Sequence, residues 1–191
     1  TLEETAYFLN LVTSSGKPVV VTGAMRPATA ISADGPLNLL NAVQLAASPV
    51  AGGNGVLIAM NGEILGARDT TKTSTRQADA FRSLDFGRMG YLDDGNAVIY
   101  RVPVRKHTAA TGFNVTGLSA LPRVDIVAVY PGMDTAAIEA CIWQETRGLV
   151  VDAMGNGEYP KAVEPALRAA AMKGIPIVIA SQTGSGITSA R

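Results

Sequence analysis

The run Val124-Asp125-Ile126-Val127-Ala128-Val129-Tyr130 opens the segment that decides the fold. It reads as a strand, short and rich in β-branched residues. Asp134 follows, in position to cap a helix running to about Glu145. Residues 148–153 then read as a second strand, 160–173 as a second helix and 175–180 as a third strand. This alternation predicts a small parallel sheet with helical crossovers. Pro165 falls early in its helix, where a missing N–H is tolerated.

Upstream the pattern is mixed. Leu2, Thr5, Ala6, Phe8, Leu9 and Val12 share one face of a helix over residues 2–12, and Thr1 with Glu4 has the form of a capping box. Residues 18–22 form a continuous β-branched strand. Asp34-Gly35-Pro36 starts a second helix with an expected apolar stripe at Leu37, Leu40, Ala42, Val43 and Ala46. Residues 55–60 form another buried strand, and Asn61-Gly62 is a hairpin turn into Glu63-Ile64-Leu65. A hairpin beside parallel strands makes this sheet mixed. The expected class is therefore α/β, with a larger mixed-sheet domain over residues 1–100 and a smaller parallel-sheet domain over 123–191. Residues 101–122, rich in proline, glycine and threonine without periodicity, are expected to link them. Both ends look cut, the first in a helix cap and the last in mid-loop, so each domain is expected to be incomplete.

Composition narrows the chemistry. The 191 residues are 47% hydrophobic and carry sixteen basic against sixteen acidic side chains, for a formal net charge of zero. Such a chain buries a core without staples and offers no field to gather a polyanion, which argues against nucleic acid as a partner. The basic run Arg101, Arg105 and Lys106 reads as solvated linker surface. One cysteine, Cys141, and one histidine, His107, leave no metal-ligand cluster of recognisable spacing, so no metal is expected. Cys141 lies in an apolar helix and reads as a small core residue, and His107 reads as a surface residue. No apolar run approaches the roughly 18 residues of a membrane span, and no signal-peptide pattern opens the chain.

Ligands of open parallel sheets gather beyond the carboxyl ends of strands. The loops after Thr22, Ala153 and Ala180 are the places to look, and each carries glycine. Gly23-Ala24-Met25-Arg26-Pro27 and Gly155-Asn156-Gly157-Glu158 both allow close backbone approach. Neither matches a dinucleotide fingerprint or a P-loop, and taken alone their glycines read first as plain tight turns and only second as binding loops. The segment Gly66-Ala67-Arg68-Asp69-Thr70-Thr71-Lys72-Thr73-Ser74-Thr75 places one lysine among five hydroxyls, beside an aspartate and an arginine. A hydroxyl is a poor nucleophile until a base takes its proton, and a lysine able to shed its own proton can be that base or relay. The same residues also suit a solvated loop whose hydroxyls bond backbone.

Residues 19–27 (Val-Val-Val-Thr-Gly-Ala-Met-Arg-Pro) and 31–39 (Ile-Ser-Ala-Asp-Gly-Pro-Leu-Asn-Leu) closely resemble the bacterial type II L-asparaginases. So do Arg68-Asp69-Thr70-Thr71-Lys72-Thr73 and Val104-Arg105-Lys106-His107-Thr108. The opening Thr1-Leu2-Glu3-Glu4-Thr5-Ala6-Tyr7-Phe8-Leu9 is similar to the stretch after that family's His-Gly-Thr-Asp-Thr signature, and the likeness runs in order along the chain. It implies hydrolysis of the side-chain amide of L-asparagine to L-aspartate and ammonia through a threonine acyl-enzyme, without a cofactor. Lys72 matches the lysine that activates a threonine, and Ala24 the position whose carbonyl faces the departing nitrogen. Glu158 stands where relatives often carry asparagine or serine near the substrate's ammonium. A carboxylate there either pairs with that ammonium or alters the asparagine/glutamine preference.

The nucleophile's Thr-Gly-Gly-Thr-Ile motif and the Thr-Asp pair before Thr1 are absent from these residues, so the isolated chain is expected to release no ammonia. The resemblance also implies a homodimer or homotetramer, and a periplasmic or secreted location, with the cytoplasm as the other choice. The rival readings are a glutaminase-asparaginase, the asparaginase-like subunit of a tRNA-dependent amidotransferase, and a nonenzymatic amino-acid- or sugar-binding α/β module. A nucleotide-binding Rossmann unit lacks both the glycine spacing and the later acidic residue.

Overall fold

The computed structural model describes residues 2–189, and Thr1, hence the expected capping box, lies outside them. The chain divides after Thr116 into two compact units. Residues 101–116 belong to the first of these.

In the first unit, α1 (Leu2–Val12) leads to strand β1 (Val19–Thr22), then to α2 (Gly35–Ala47), β2 (Val56–Met60) and β3 (Glu63–Gly66). Two-residue strands β4 (Thr71–Lys72) and β5 (Phe81–Arg82) follow, then β6 (Gly90–Asp93) and β7 (Asn96–Ile99). The main sheet has the order β1-β2-β3-β6-β7. β1 runs parallel to β2, with Thr22 opposite Ala59, and the remaining pairs are antiparallel. The mixed sheet expected from the sequence is therefore present. Its hairpin turns at Asn61 and Gly62 with φ of 53° and 74°, the left-handed pair that Asn-Gly supplies cheaply.

The alternation along each strand divides its apolar side chains between two faces. On one face, Ala6 of α1 packs with Val56, Ile58, Met60, Leu65, Ala67, Ala80 and Phe81, joined by Val19, Val21 and Met25. On the other, Ala42 and Leu45 of α2 pack with Leu57, Ala59, Ile64 and Met89, joined by Val20. β1 and β2 thus lie between two helical layers, as their unbroken apolar runs predict.

α2 follows the expected stripe only at Ala42, which is buried. Leu37 and Val43 are each 60% exposed and Leu40 is 52% exposed, whereas Asn38 is 1% exposed and Asn41 is also buried. Hydrogen bonding at Asn38 goes with that face turned inward, and Leu37, Leu39 and Leu40 face outward.

The second unit contains β8 (Val124–Ala128), α3 (Ala136–Trp143), β9 (Gly148–Ala153), α4 (Glu164–Met172) and β10 (Ile177–Ser181). β8 and β10 flank β9, all parallel, with Ile126, Val150 and Val178 in one row across the sheet. This is the parallel β-α-β-α-β unit expected. Its core is Val127, Val129, Ile138, Leu149, Val151, Val163 and Leu167, with Cys141 at the margin. Pro165 falls in the first turn of α4. Among the described residues no helix is long and apolar enough to cross a membrane.

Candidate active site

The loop after β1 is held from one side by two residues of α2's start. Asp34 accepts hydrogen bonds from the backbone N–H groups of Met25 and Arg26, each at 2.9 Å. Asn38, one helical turn on, donates to the Gly23 carbonyl at 3.0 Å and to Asp34 at 3.2 Å. Its own oxygen accepts from the Asn61 N–H at 3.0 Å, tying the loop to the β2–β3 turn. The Thr22 hydroxyl donates to the Ala59 carbonyl at 2.7 Å. Burial pushes the Asp34 carboxyl up, but the N–H groups of Met25 and Arg26, its own N–H and the Asn38 amide outweigh this and hold it below the ordinary aspartate value. Ala24 itself is exposed.

The loop after β3 is fixed by different chemistry. The buried Thr70 hydroxyl donates to the Gly66 carbonyl at 2.6 Å, closing a tight turn. A side chain at Gly66 would meet Asp69 Oδ1 at 2.7 Å, so the turn needs a glycine there. Asp69 accepts from the Ser83 hydroxyl at 3.1 Å and from Arg101 Nη2 at 2.9 Å, and the same guanidinium nitrogen reaches the Gly87 carbonyl at 2.6 Å. Arg101 is therefore a structural clamp and not the solvated linker residue its basic neighbours suggest. Its partner lies 32 residues away, beyond the reach of any local pattern.

That clamp leads directly into the β4–β5 ribbon. Lys72 pairs with Phe81 there, and its ammonium stands 5.5 Å from the Phe81 ring centre. Thr73 secures the next position through its N–H and hydroxyl, both donating to the Ala80 carbonyl. The backbone N–H of Lys72 donates to the Glu3 carboxylate. Leu2, beside Glu3, lies against Gly23, where a Cβ would come within 3.1 Å of it. The first turn of α1 thus touches both the Ala24 loop and the Lys72 strand. Met25 and Phe81, neighbours of the two candidate residues, also pack in one apolar cluster.

Glu158 belongs to the second unit. It closes the turn after β9, exchanging backbone hydrogen bonds with Met154 at 2.8 and 2.9 Å. Gly155 and Gly157 within the turn have φ of 48° and 90°, so the turn demands its glycines. The Ser181 side chain ties it to the end of β10, and the Asn156 side chain ties it to Ser189 beyond that strand. The turn stands beyond the carboxyl ends of β9 and β10, where a ligand of a parallel sheet is expected, and Glu158 is exposed.

Residues 1–105 match the family described as "Asparaginase, N-terminal", and residues 123–191 match the "Glutaminase/Asparaginase C-terminal domain". A "Probable L-asparaginase periplasmic" of Haemophilus influenzae is 45% identical over 98% of this chain and 54% of its own length. A "Glutaminase-asparaginase" of Pseudomonas fluorescens is 40% identical over 97% of this chain and 51% of its own length. The crystal structure of a "Probable Cytoplasmic L-asparaginase" from Campylobacter jejuni superposes with a TM-score of 0.97 at 43% identity, covering 100% of this chain and 63% of that one. The chain spans about half the length of the curated relatives it matches. With matches to both domains of one family and a fold that coincides with a solved member along its whole length, the chain belongs to the asparaginase family.

Proposed function

We propose that the protein hydrolyses the side-chain amide of L-asparagine, giving L-aspartate and ammonia, with Lys72 as its proton carrier. The observation that carries this reading is the convergence on the first turn of α1, where Glu3 holds the Lys72 strand and Leu2 lies against the Ala24 loop. In this reading a threonine hydroxyl attacks the amide carbon, and Lys72 receives the hydroxyl proton through its activated neighbour. The tetrahedral intermediate then collapses, the C–N bond breaks, and the nitrogen takes up that proton and leaves as ammonia. Water attacks the resulting ester, frees aspartate and restores the hydroxyl. The Ala24 carbonyl accepts an N–H of the departing nitrogen.

A second reading is a glutaminase-asparaginase, favoured by relatives of that name at 40–41% identity and by the carboxylate at Glu158. The ratio of kcat/KM for asparagine to that for glutamine separates the two readings. Replacing Glu158 by asparagine shifts that ratio if Glu158 sets the preference.

Lys72→Ala in the protein expressed from its complete coding sequence tests the reaction itself. Turnover is expected to fall by about a thousandfold or more while asparagine still binds, since a general base and relay contributes on that order. Unchanged ammonia release would overturn the assignment, and binding without turnover in the unsubstituted protein would favour an amino-acid-binding module. We further infer a homodimer or homotetramer, supported by the outward-facing leucines of α2 and tested by sedimentation. A periplasmic location is supported by one relative's name and a cytoplasmic one by the solved neighbour's. Fractionation of cells decides between them.

A further inference from the structure

We propose that Asp34, backed by Asn38, is a positioning residue that aims the Ala24 carbonyl at the departing nitrogen of the substrate. This inference rests on the amidohydrolase reading above. The argument starts from the planarity of the peptide unit. The carbonyl of Ala24 and the N–H of Met25 belong to one trans peptide and point in opposite directions. Asp34 grips that N–H with Oδ2 at 2.9 Å and Oδ1 at 3.2 Å. Holding the N–H therefore sets the direction of the carbonyl, which must point away from the carboxylate.

The flanking peptides are committed as well. The Arg26 N–H is taken by Asp34, and the Gly23 carbonyl is taken by Asn38. The Ala24 methyl abuts Gly35, where a Cβ would lie 3.4 Å from it. Between these anchors the Ala24 peptide cannot turn without breaking a charge-assisted hydrogen bond. Asn38 holds the carboxylate in turn through its 3.2 Å bond to Oδ2, and is itself buried and fixed by Asn61.

A carbonyl fixed in this way contributes to the rate and not only to binding. The amide nitrogen gains positive character as its bond to carbon breaks, so its N–H becomes a stronger donor in the transition state than in the bound substrate. An acceptor already aimed at it needs no reorganisation at that moment. An ester substrate offers a leaving oxygen with no N–H, and gains nothing from the same carbonyl.

The test compares L-asparagine with the β-methyl ester of L-aspartate, using the protein expressed from its complete coding sequence and its Asp34→Asn variant. An asparagine side chain presents only one acceptor oxygen, and its amide hydrogens oppose the N–H groups of Met25 and Arg26. We expect kcat for asparagine to fall about tenfold or more with KM little changed, and kcat for the ester to fall less than about threefold. Equal losses on both substrates, or no loss on asparagine, would overturn the inference while leaving the amidohydrolase reading intact. If the unsubstituted protein releases neither ammonia nor methanol, that reading fails and this inference goes with it. Thermal unfolding establishes that the variant is folded. If it is not, the same comparison is made with Asp34→Glu, which keeps the charge and displaces it by one methylene, and the same two outcomes decide.

Discussion

Glu3 and Lys72, 69 residues apart in the chain, are joined by a hydrogen bond of 2.5 Å from the Lys72 backbone N–H to the Glu3 carboxylate. It connects the start of a helix to a strand two residues long, otherwise held by its pairing with β5 and by Thr73. Truncation in Glu3→Ala is expected to cost about 1 kcal/mol of stability, below the usual range for a bond to a charged group because the site is partly exposed. Ammonia release should fall about tenfold as the Lys72 strand loses its register with the helix. Glu3→Gln, which keeps an acceptor, should retain most of both. Urea unfolding and a coupled ammonia assay measure these effects side by side.

Arg101→Leu removes the guanidinium from Asp69 and from the Gly87 carbonyl together. The two ionic side chains are 27% and 16% exposed, so solvent replaces the lost bonds poorly. A destabilisation of about 1–3 kcal/mol is expected in urea. Arg101→Lys should recover only part of it, because the ammonium sits on a flexible stem that is not pre-organised at the point from which Nη2 bonds both acceptors.

Gly90→Ala tests the close approach of β6 and β7. A Cβ at Gly90 would stand 2.0 Å from the Val98 carbonyl oxygen and 3.0 Å from the Ile99 Cα, and backbone cannot swing aside as a side chain can. A loss of about 1–3 kcal/mol or more is expected from overpacking, seen as a lowered thermal midpoint. Gly16→Ala is the control, since nothing lies within 4 Å of that position. It should change stability by less than about 0.5 kcal/mol.

Acid should loosen the Ala24 loop in a particular window. The Asp34 carboxyl titrates below the ordinary aspartate value of 3.8 in the folded chain, so folding favours its ionised form. Its contribution is present in full above that ordinary value and is lost as pH falls through the lower, folded one. Asp125 behaves in the same direction, held down first by the hydrogen bond from Arg123 and then by Thr146. Denaturant midpoints taken between about pH 5 and pH 2 should therefore fall less steeply for Asp34→Asn than for the unsubstituted protein.

The second unit was legible because each strand is a short run rich in β-branched and aliphatic residues and each helix has Asp134 or a proline at its start. The Asn61-Gly62 hairpin was legible for an equally local reason, since two left-handed residues in succession are costly in most other sequences. Helix α2 was visible as a helix, but its orientation was not. Periodicity selects Leu37, Leu40 and Val43, while the folded helix buries Asn38 against a loop and a turn that lie on either side of it in sequence. The β4–β5 ribbon escaped notice because two polar residues have no alternation to read. Lys72, Ala24 and Glu158 stood out by composition and resemblance. Glu3, Asp34 and Arg101, which hold the loops around the first two, act over distances of 69, 9 and 32 residues, and no spacing rule reaches across them.

The inward-facing Asn38 also bears on how the protein behaves in the cold. Apolar attachments weaken as water is cooled, because the entropy that drives them fades. The Ala24 loop is anchored to the start of α2 by amide and carboxylate hydrogen bonds. Cooling therefore relaxes the packing of Leu45 and Ile64 before it relaxes the loop. The Ala24–Met25 peptide is expected to keep its orientation at temperatures where the layers behind it have begun to soften.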